Sequence, residues 1–353
     1  MSQTGPPIVD LSNFEERKEE ITKELMKAAT TIGFFYITNH GIPQELIDRA
    51  FAINARYFDQ PAEVKAKYPS VDWGAVKLLG YEVNKMHEGD GLLHESCIQK
   101  FPVHTDMEKI WPSEEDCPKF KDTTMEFMKA LPPVVDRILS LFARGIGFPE
   151  TFFKDITDVQ TTENNSFLQY HKYPSLEGTD RDTWQEGVNR ITAHTDESLM
   201  TLLFNSPGSV GLELAAGRDG KAVGSENGHY KVNNWTDCPP KPGCITVNVG
   251  DPLQFWSDGV LKSNYHRVRM PKEGEPLDAR YSIGWFVWPK DNVLIQGPGK
   301  KYPPTTMKEF MKVKGQMYGN SFHPDPEIYM ANQHIAFGPP EIAASGIPIP
   351  AAS

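Results

Sequence analysis

The stretch AHTDESLMTLLF, residues 193–204, places two metal-competent side chains in front of a run of apolar residues. From Leu199 to Phe204 the run is typical of a buried or half-buried strand. Side chains two residues apart on an extended strand point to the same face, which predicts that His194 and Asp196 project together. An H-x-D triplet also occurs as a strand-edge histidine followed by a turn aspartate. The triplet therefore predicts a metal site only if further ligands reach the same face.

Composition excludes several classes of protein. The 353 residues carry a formal net charge of −11 and contain no basic run, which argues against nucleic acid and anionic membrane surfaces as partners. We find neither an apolar leader nor an apolar stretch long enough to span a membrane. The four cysteines form no C-x-x-C pair, which is typical of a reduced, cytoplasmic protein.

The sequence pattern changes from mainly helical to mainly strand-like near residue 165. Before that point the pattern predicts amphipathic helices at 15–31 and 43–58, and a helical segment at 120–147 that the Pro132-Pro133 pair should split. After it, short strand-like runs alternate with Gly, Pro and Asn, which indicates a sandwich, jelly roll or barrel. These runs are 166–173, 190–204, 210–214, 244–248, 252–256, 264–269 and 279–288, followed by one helix at 305–315.

We therefore expect a mainly β fold with a helical N-terminal region wrapped on one catalytic β core. The expected divisions are residues 1–150 for the N-terminal region, 151–317 for the core and 318–353 for an extended C-terminal segment rich in Pro and Ala.

A third ligand candidate lies in VNVGDPLQFWSDGVLKSNYHRV, residues 247–268, where His266 falls inside a strand-like segment. A jelly roll brings such distant strands face to face. Two histidines and one carboxylate make the facial triad of non-haem Fe(II) oxygenases, which leaves coordination positions open. Zinc also accepts these ligands but more often takes tetrahedral N/S sites.

A buried cation is predicted in ARYSIGWFVWP, residues 279–289. Arg280 and Ser282 share one strand face with Gly284, Phe286 and Trp288. An inward-facing arginine is costly unless it is paired. A guanidinium fork with a hydroxyl two residues away is suited to binding a carboxylate.

In combination, these motifs resemble the iron(II)- and 2-oxoglutarate-dependent dioxygenases of the isopenicillin N synthase-like group. The resemblance covers residues 7–315 and includes IVDLS, GFFYITNHGIP, FDQPAEVKAKY (58–68), GYE (80–82) and HES (94–96). It implies a double-stranded β-helix (jelly-roll) core, with Fe(II), 2-oxoglutarate and O2 as the reaction's metal and cosubstrates.

The resemblance also implies roles for individual residues. The expected iron ligands are His194, Asp196 and His266, and the expected clamp on the distal carboxylate of 2-oxoglutarate is Arg280 with Ser282. In FLQYHKYP (167–174), Tyr173 matches a cosubstrate-binding tyrosine of the group, whereas His171 stands where the group usually has asparagine.

Three further residues are expected in the substrate pocket: Phe286, Glu197 and Leu202. Each has an ordinary alternative, since Phe286 and Leu202 suit a packed core and Glu197 suits a solvent-facing loop. The polar, Gly-rich insert at 215–230 departs from the group's pattern and is expected to be a loop or extended hairpin.

The expected activity is oxidative decarboxylation of 2-oxoglutarate coupled to hydroxylation, desaturation or ring closure of a small organic molecule, in secondary metabolism. An Fe(II) oxidase that needs no keto acid, like isopenicillin N synthase, remains an alternative because that relative also carries R-x-S. A non-catalytic jelly-roll binding module is disfavoured by the intact triad. The sequence leaves the substrate and the oligomeric state open.

Overall fold

The computed structural model describes residues 5–71, 79–85, 92–101, 109–184, 188–215, 225–226, 229–230 and 234–317. The expected C-terminal segment 318–353 lies outside these residues. Most of the 215–230 insert does too, apart from Ala215 and one short hairpin. No helix in the described ranges combines the length and the apolar character needed to cross a membrane.

The helices cluster in the N-terminal half. They are α1 Phe14–Thr31, α2 Gln44–Phe58, α3 Ala62–Lys65, α4 Phe120–Ala130, α5 Pro132–Ile146, α6 Asp251–Trp256 and α7 Met307–Met317, with a 3-10 turn at Arg181–Thr183. The split between α4 and α5 at Pro132 confirms the expected break, because proline fits the first turn of a helix and not its interior.

The strands dominate the remainder of the chain. They are β1 Ile8–Asp10, β2 Phe34–Thr38, β3 Gly80–Lys85, β4 Leu92–Gln99, β5 Phe167–Tyr173, β6 Asn189–His194, β7 Met200–Asn205, β8 Leu212–Ala215, β9 Ser225–Glu226, β10 His229–Tyr230, β11 Trp235–Asp237, β12 Ile245–Val249, β13 His266–Arg269, β14 Arg280–Val287, β15 Leu294–Ile295 and β16 Thr305–Thr306. The prediction of a mainly β fold with a helical N-terminal region is confirmed.

Two sheets form the core of the fold. The major sheet has eight strands in the order β1-β2-β12-β7-β14-β5-β4-β3, and the minor sheet has four in the order β11-β8-β13-β6. Side chains from both sheets line one cavity, so the two sheets enclose the candidate site between them. Helix α2 contacts β5 and β14, and α1 packs on α5. The apolar side chains of these helices cover the opposite face of the major sheet.

Two of the expected strands are wrong. The run 190–204 is not one strand but β6 and β7, which belong to different sheets and are joined by residues 195–199. The run 252–256 is helix α6, whose residues are all buried. Alternating apolar residues cannot distinguish a strand from a helix that is buried on every side, and Pro252 in its first turn favours the helix.

Candidate functional site

The three predicted metal ligands converge at one end of the cavity. His194 ends β6 and His266 begins β13, and these two residues are directly paired across the minor sheet. The Oδ1 atom of Asp196 lies 3.6 Å from Nε2 of His194 and 3.5 Å from Nε2 of His266. The sequence pattern predicted that Asp196 shares a strand face with His194. Asp196 instead reaches this position from the connection after β6.

Backbone carbonyls orient both imidazoles. Nδ1 of His194 lies 2.8 Å from the carbonyl oxygen of Thr192, and Nδ1 of His266 lies 3.3 Å from that of Asn264. Since a carbonyl only accepts, each Nδ1 carries the proton and each Nε2 presents its lone pair towards Asp196. This arrangement of outer hydrogen bonds is typical of metal-binding histidines.

Two donors fix the carboxylate of Asp196. Its Oδ2 atom accepts hydrogen bonds from Oγ1 of Thr201 at 2.5 Å and Nδ2 of Asn248 at 2.7 Å, which leaves Oδ1 directed at the imidazoles. Burial raises the pKa of Asp196, but the neighbouring His266 and His194 and these two donors outweigh burial and lower it. Burial lowers the pKa of His266 to about 4, so this imidazole is neutral at physiological pH.

The donor set fits a divalent metal ion. Two imidazoles and one carboxylate offer ligand atoms that all lie within 4.8 Å of one another. Two nitrogens and one oxygen would make the facial ligand set suited to Fe(II), which leaves coordination positions open for a cosubstrate.

The start of α6 holds the Asp196 connection in place. The backbone N–H of Asp251 donates to the carbonyl of Asp196 at 2.9 Å, and the Thr195 hydroxyl donates to the Asp251 carboxylate at 3.0 Å. A Cβ atom on Gly250 would lie 1.7 Å from the backbone oxygen of Ser198, so glycine is required for this close approach.

A buried cation lines the other end of the cavity. Arg280 is 6% exposed and donates from Nη2 to the side-chain oxygen of Asn205 at 2.6 Å, whereas its Nε and Nη1 atoms have no hydrogen-bond partner among the described residues. The buried hydroxyl of Ser282 lines the same cavity. A guanidinium with two unpartnered nitrogen atoms beside a hydroxyl fits a carboxylate that arrives with a ligand.

Strand β5 completes the surroundings of this cation. In the pairing of β5 with β14, Tyr173 lies opposite Arg280 and His171 lies opposite Ser282. The Arg280 guanidinium lies 4.5 Å from the centre of the Tyr173 ring, within cation–π range. Burial holds the pKa of His171 well below its usual value, so this ring is neutral.

The cavity has a volume of about 430 Å³. Phe286 and Glu197 line it, as expected, but Leu202 does not. Leu202 is fully buried in the hydrophobic core because side chains alternate along β7, and it is the neighbouring Leu203 that faces the cavity. Sequence reasoning did not assign several lining residues that come from separate strands: Glu82, His94, Gln169, Thr201 and Asn248.

Comparisons with known protein families agree with this geometry. Residues 6–121 match the family model described as non-haem dioxygenase in morphine synthesis N-terminal, and residues 162–289 match the 2OG-Fe(II) oxygenase superfamily. A proline hydroxylase, buaE, of Petromyces alliaceus is 31% identical over 79% of this chain and 85% of its own. Leucoanthocyanidin dioxygenase of Perilla frutescens is 28% identical over 89% of this chain and 83% of its own.

A solved structure shares the fold. The crystal structure of a full-length Neurospora crassa protein in complex with alpha-KG and 5-formyluracil superimposes with a TM-score of 0.71 at 25% identity, over 86% of this chain and 93% of that one. The expected double-stranded β-helix core is thereby confirmed, as are Fe(II) and 2-oxoglutarate as cofactor and cosubstrate, with O2 as the oxidant. The chain belongs to the 2OG-Fe(II) oxygenase superfamily and is a 2-oxoglutarate-dependent dioxygenase.

Proposed function

We propose that His194, Asp196 and His266 hold the catalytic Fe(II). The observation that carries this proposal is the convergence of two Nε2 atoms on Oδ1 of Asp196 at 3.6 and 3.5 Å. The bound iron supplies O2 activation and the oxidative decarboxylation of the keto acid. The chain's own task is to orient both imidazoles through Thr192 and Asn264 and to fix the carboxylate.

Arg280 and Ser282 bind the distal carboxylate of 2-oxoglutarate in this proposal, with Tyr173 and His171 beside them. The unpartnered Nε and Nη1 atoms of Arg280 support this role, because a buried guanidinium is costly without a counter-charge. The cosubstrate then extends between Arg280 and the metal ligands, which line the same cavity.

The substrate we propose is a small organic molecule that is hydroxylated, desaturated or cyclised. Phe286 and Glu197 line the part of the cavity left to it. The 430 Å³ volume is shared between cosubstrate and substrate, which favours a small substrate. The direct test is substrate-dependent succinate release under oxygen across a metabolite library. Turnover without 2-oxoglutarate would instead support the oxidase that needs no keto acid.

We also propose a cytoplasmic enzyme of secondary metabolism that binds neither membranes nor nucleic acid. All four cysteines are free, which suits a reducing compartment, and the net charge of −11 disfavours anionic surfaces. The similarity to leucoanthocyanidin dioxygenase supports the metabolic setting. Cell fractionation would test the location, and native mass spectrometry would test the oligomeric state. We also retain the divisions 1–150, 151–317 and 318–353 as a proposal.

A further inference from the structure

The side chain of Asn205 holds the Arg280 guanidinium in place. Nη2 of Arg280 donates to Oδ1 of Asn205 at 2.6 Å. Because a guanidinium only donates, the amide must present its oxygen to Nη2, which turns Nδ2 away. Asn205 on β7 pairs with Ser282 on β14, so the two side chains leave the same face of the major sheet. Arg280 and Ser282 line the cavity and Asn205 does not, so Asn205 stands behind the residues that face a ligand.

Among the described residues, no carboxylate pairs with Arg280. Its guanidinium contacts the amide that faces Nη2 and, 4.5 Å from the ring centre, the side chain of Tyr173. A second guanidinium, that of Arg190, lies 5.3 Å from the centre of the same ring, and burial and the charge of Arg280 lower its pKa to about 10. Burial also lowers the pKa of His94 and of His171, so both rings are neutral. These groups therefore leave this end of the cavity positively charged before a ligand binds.

An amide satisfies position 205 only in part. Nδ2 of Asn205 is buried without a hydrogen-bond partner among the described residues, as are Nε and Nη1 of Arg280. An aspartate would keep the oxygen that accepts from Nη2, would remove the unpartnered donor and would supply the missing counter-charge. The same aspartate would neutralise the guanidinium that the proposed cosubstrate site needs. The amide therefore orients the cation and leaves its charge available.

We infer that Asn205 is a positioning residue for the cosubstrate and that its side chain has to be uncharged. It holds the Arg280 guanidinium in the orientation that receives the distal carboxylate of 2-oxoglutarate, and it does not compete for that charge. The ligand-free protein is consequently less stable than it would be with an acidic residue at this position. This inference rests on the proposed function and adds to the cosubstrate site a residue outside the R-x-S motif.

The test compares Asn205→Asp with Asn205→Leu. Denaturant unfolding of the metal-free protein measures stability. The charge-transfer band of the anaerobic Fe(II) enzyme measures the half-saturation concentration for 2-oxoglutarate. Asn205→Asp should unfold at a higher denaturant concentration than the wild type and should raise the half-saturation concentration roughly tenfold or more, because the cosubstrate must displace an internal carboxylate from Arg280. Asn205→Leu should lower stability and weaken 2-oxoglutarate binding several-fold, because Nη2 loses its partner.

Asn292→Asp is the matched control, since it adds the same charge in an exposed turn and should change neither quantity measurably. A merely structural role for Asn205 would make both variants less stable. Destabilisation of Asn205→Asp, including a failure to fold, would therefore overturn the inference, as would a wild-type half-saturation concentration in that variant. If Asn205→Leu fails to fold, Asn205→Asp decides alone. An absent band in the wild type would contradict the proposed function itself, whereas a normal wild-type band with either overturning result contradicts this inference alone.

Discussion

The side-chain amide of Asn248 donates a 2.7 Å hydrogen bond to Oδ2 of Asp196, while Oδ1 of the same carboxylate faces the Nε2 atoms of His194 and His266. Asn248 therefore orients a proposed metal ligand and is not itself one of the three proposed ligands. Residues in such outer positions typically contribute 10- to 100-fold to metal affinity.

The first prediction follows from this relationship. Asn248→Leu should weaken Fe(II) binding by roughly tenfold or more, because the carboxylate loses one of its two donors. The measurement is an anaerobic Fe(II) titration. Asn205→Leu is the matched control, since Asn205 bonds Arg280 and not the triad, and it should leave iron affinity unchanged. Equal iron affinity in the two variants would refute the orienting role of Asn248.

The second prediction concerns Arg280. Removing one member of a buried charged pair typically costs roughly 3–5 kcal/mol. Arg280→Gln should therefore raise the Kd for 2-oxoglutarate on the order of a hundredfold or more. Arg280→Lys should recover part of this loss, since an ammonium keeps the charge but lacks the planar fork. Fe(II) affinity should hardly change in either variant, and a parallel loss of iron would indicate general damage to the site.

A third prediction separates substrate binding from cosubstrate binding. In Gly284→Ala the new methyl group would lie 2.8 Å from the Phe286 ring and displace it. Once a substrate is identified, this variant and Phe286→Ala should raise its KM or change the product distribution, with the KM for 2-oxoglutarate nearly unchanged. If Phe286→Ala only lowers thermal stability, by the ~3–5 kcal/mol typical of a buried Phe truncation, Phe286 is a packing residue.

The fourth prediction is a pH dependence of the metal-free protein. Burial lowers the folded-state pKa of His94 to about 4, below its ordinary 6.5. The unfolded chain therefore binds more protons between these values, and the contribution of His94 to the free energy of unfolding is complete above pH 6.5 and lost as the pH falls towards 4. When the pH is lowered from 7.5 to 5, the free energy of unfolding of His94→Gln should fall by roughly 2 kcal/mol less than that of the wild type. Denaturant unfolding at both pH values measures this, and identical losses would contradict it.

Much of the site could be predicted from the sequence because its chemistry uses distinctive residues in order. His194, Asp196, His266 and Arg280 each interrupt an apolar pattern, and a polar or charged side chain in a strand is informative. The residues that surround these four side chains in the cavity carry no such signal in the sequence. Asn248 on β12 and Gln169 on β5 reach one cavity only because the major sheet brings these distant strands together, and such contacts are not local in the sequence.

The errors have physical causes as well. Leu202 and Leu203 are indistinguishable by composition, and a shift of one residue exchanges the core face for the cavity face. Helix α6 resembles a strand because every one of its residues is buried. The convergence of His194 and Asp196 was correctly expected, although the turn after β6, and not strand alternation, brings them together.

The central claim is that the triad and Arg280 jointly bind Fe(II) and 2-oxoglutarate in one cavity. The most direct measurement titrates 2-oxoglutarate into the anaerobic Fe(II) enzyme and follows the metal-to-ligand charge-transfer band. We predict a saturable band in the wild type, a much higher half-saturation concentration in Arg280→Gln, and no band in Asp196→Ala. No band in the wild type, or a wild-type titration in Asp196→Ala, would contradict the account.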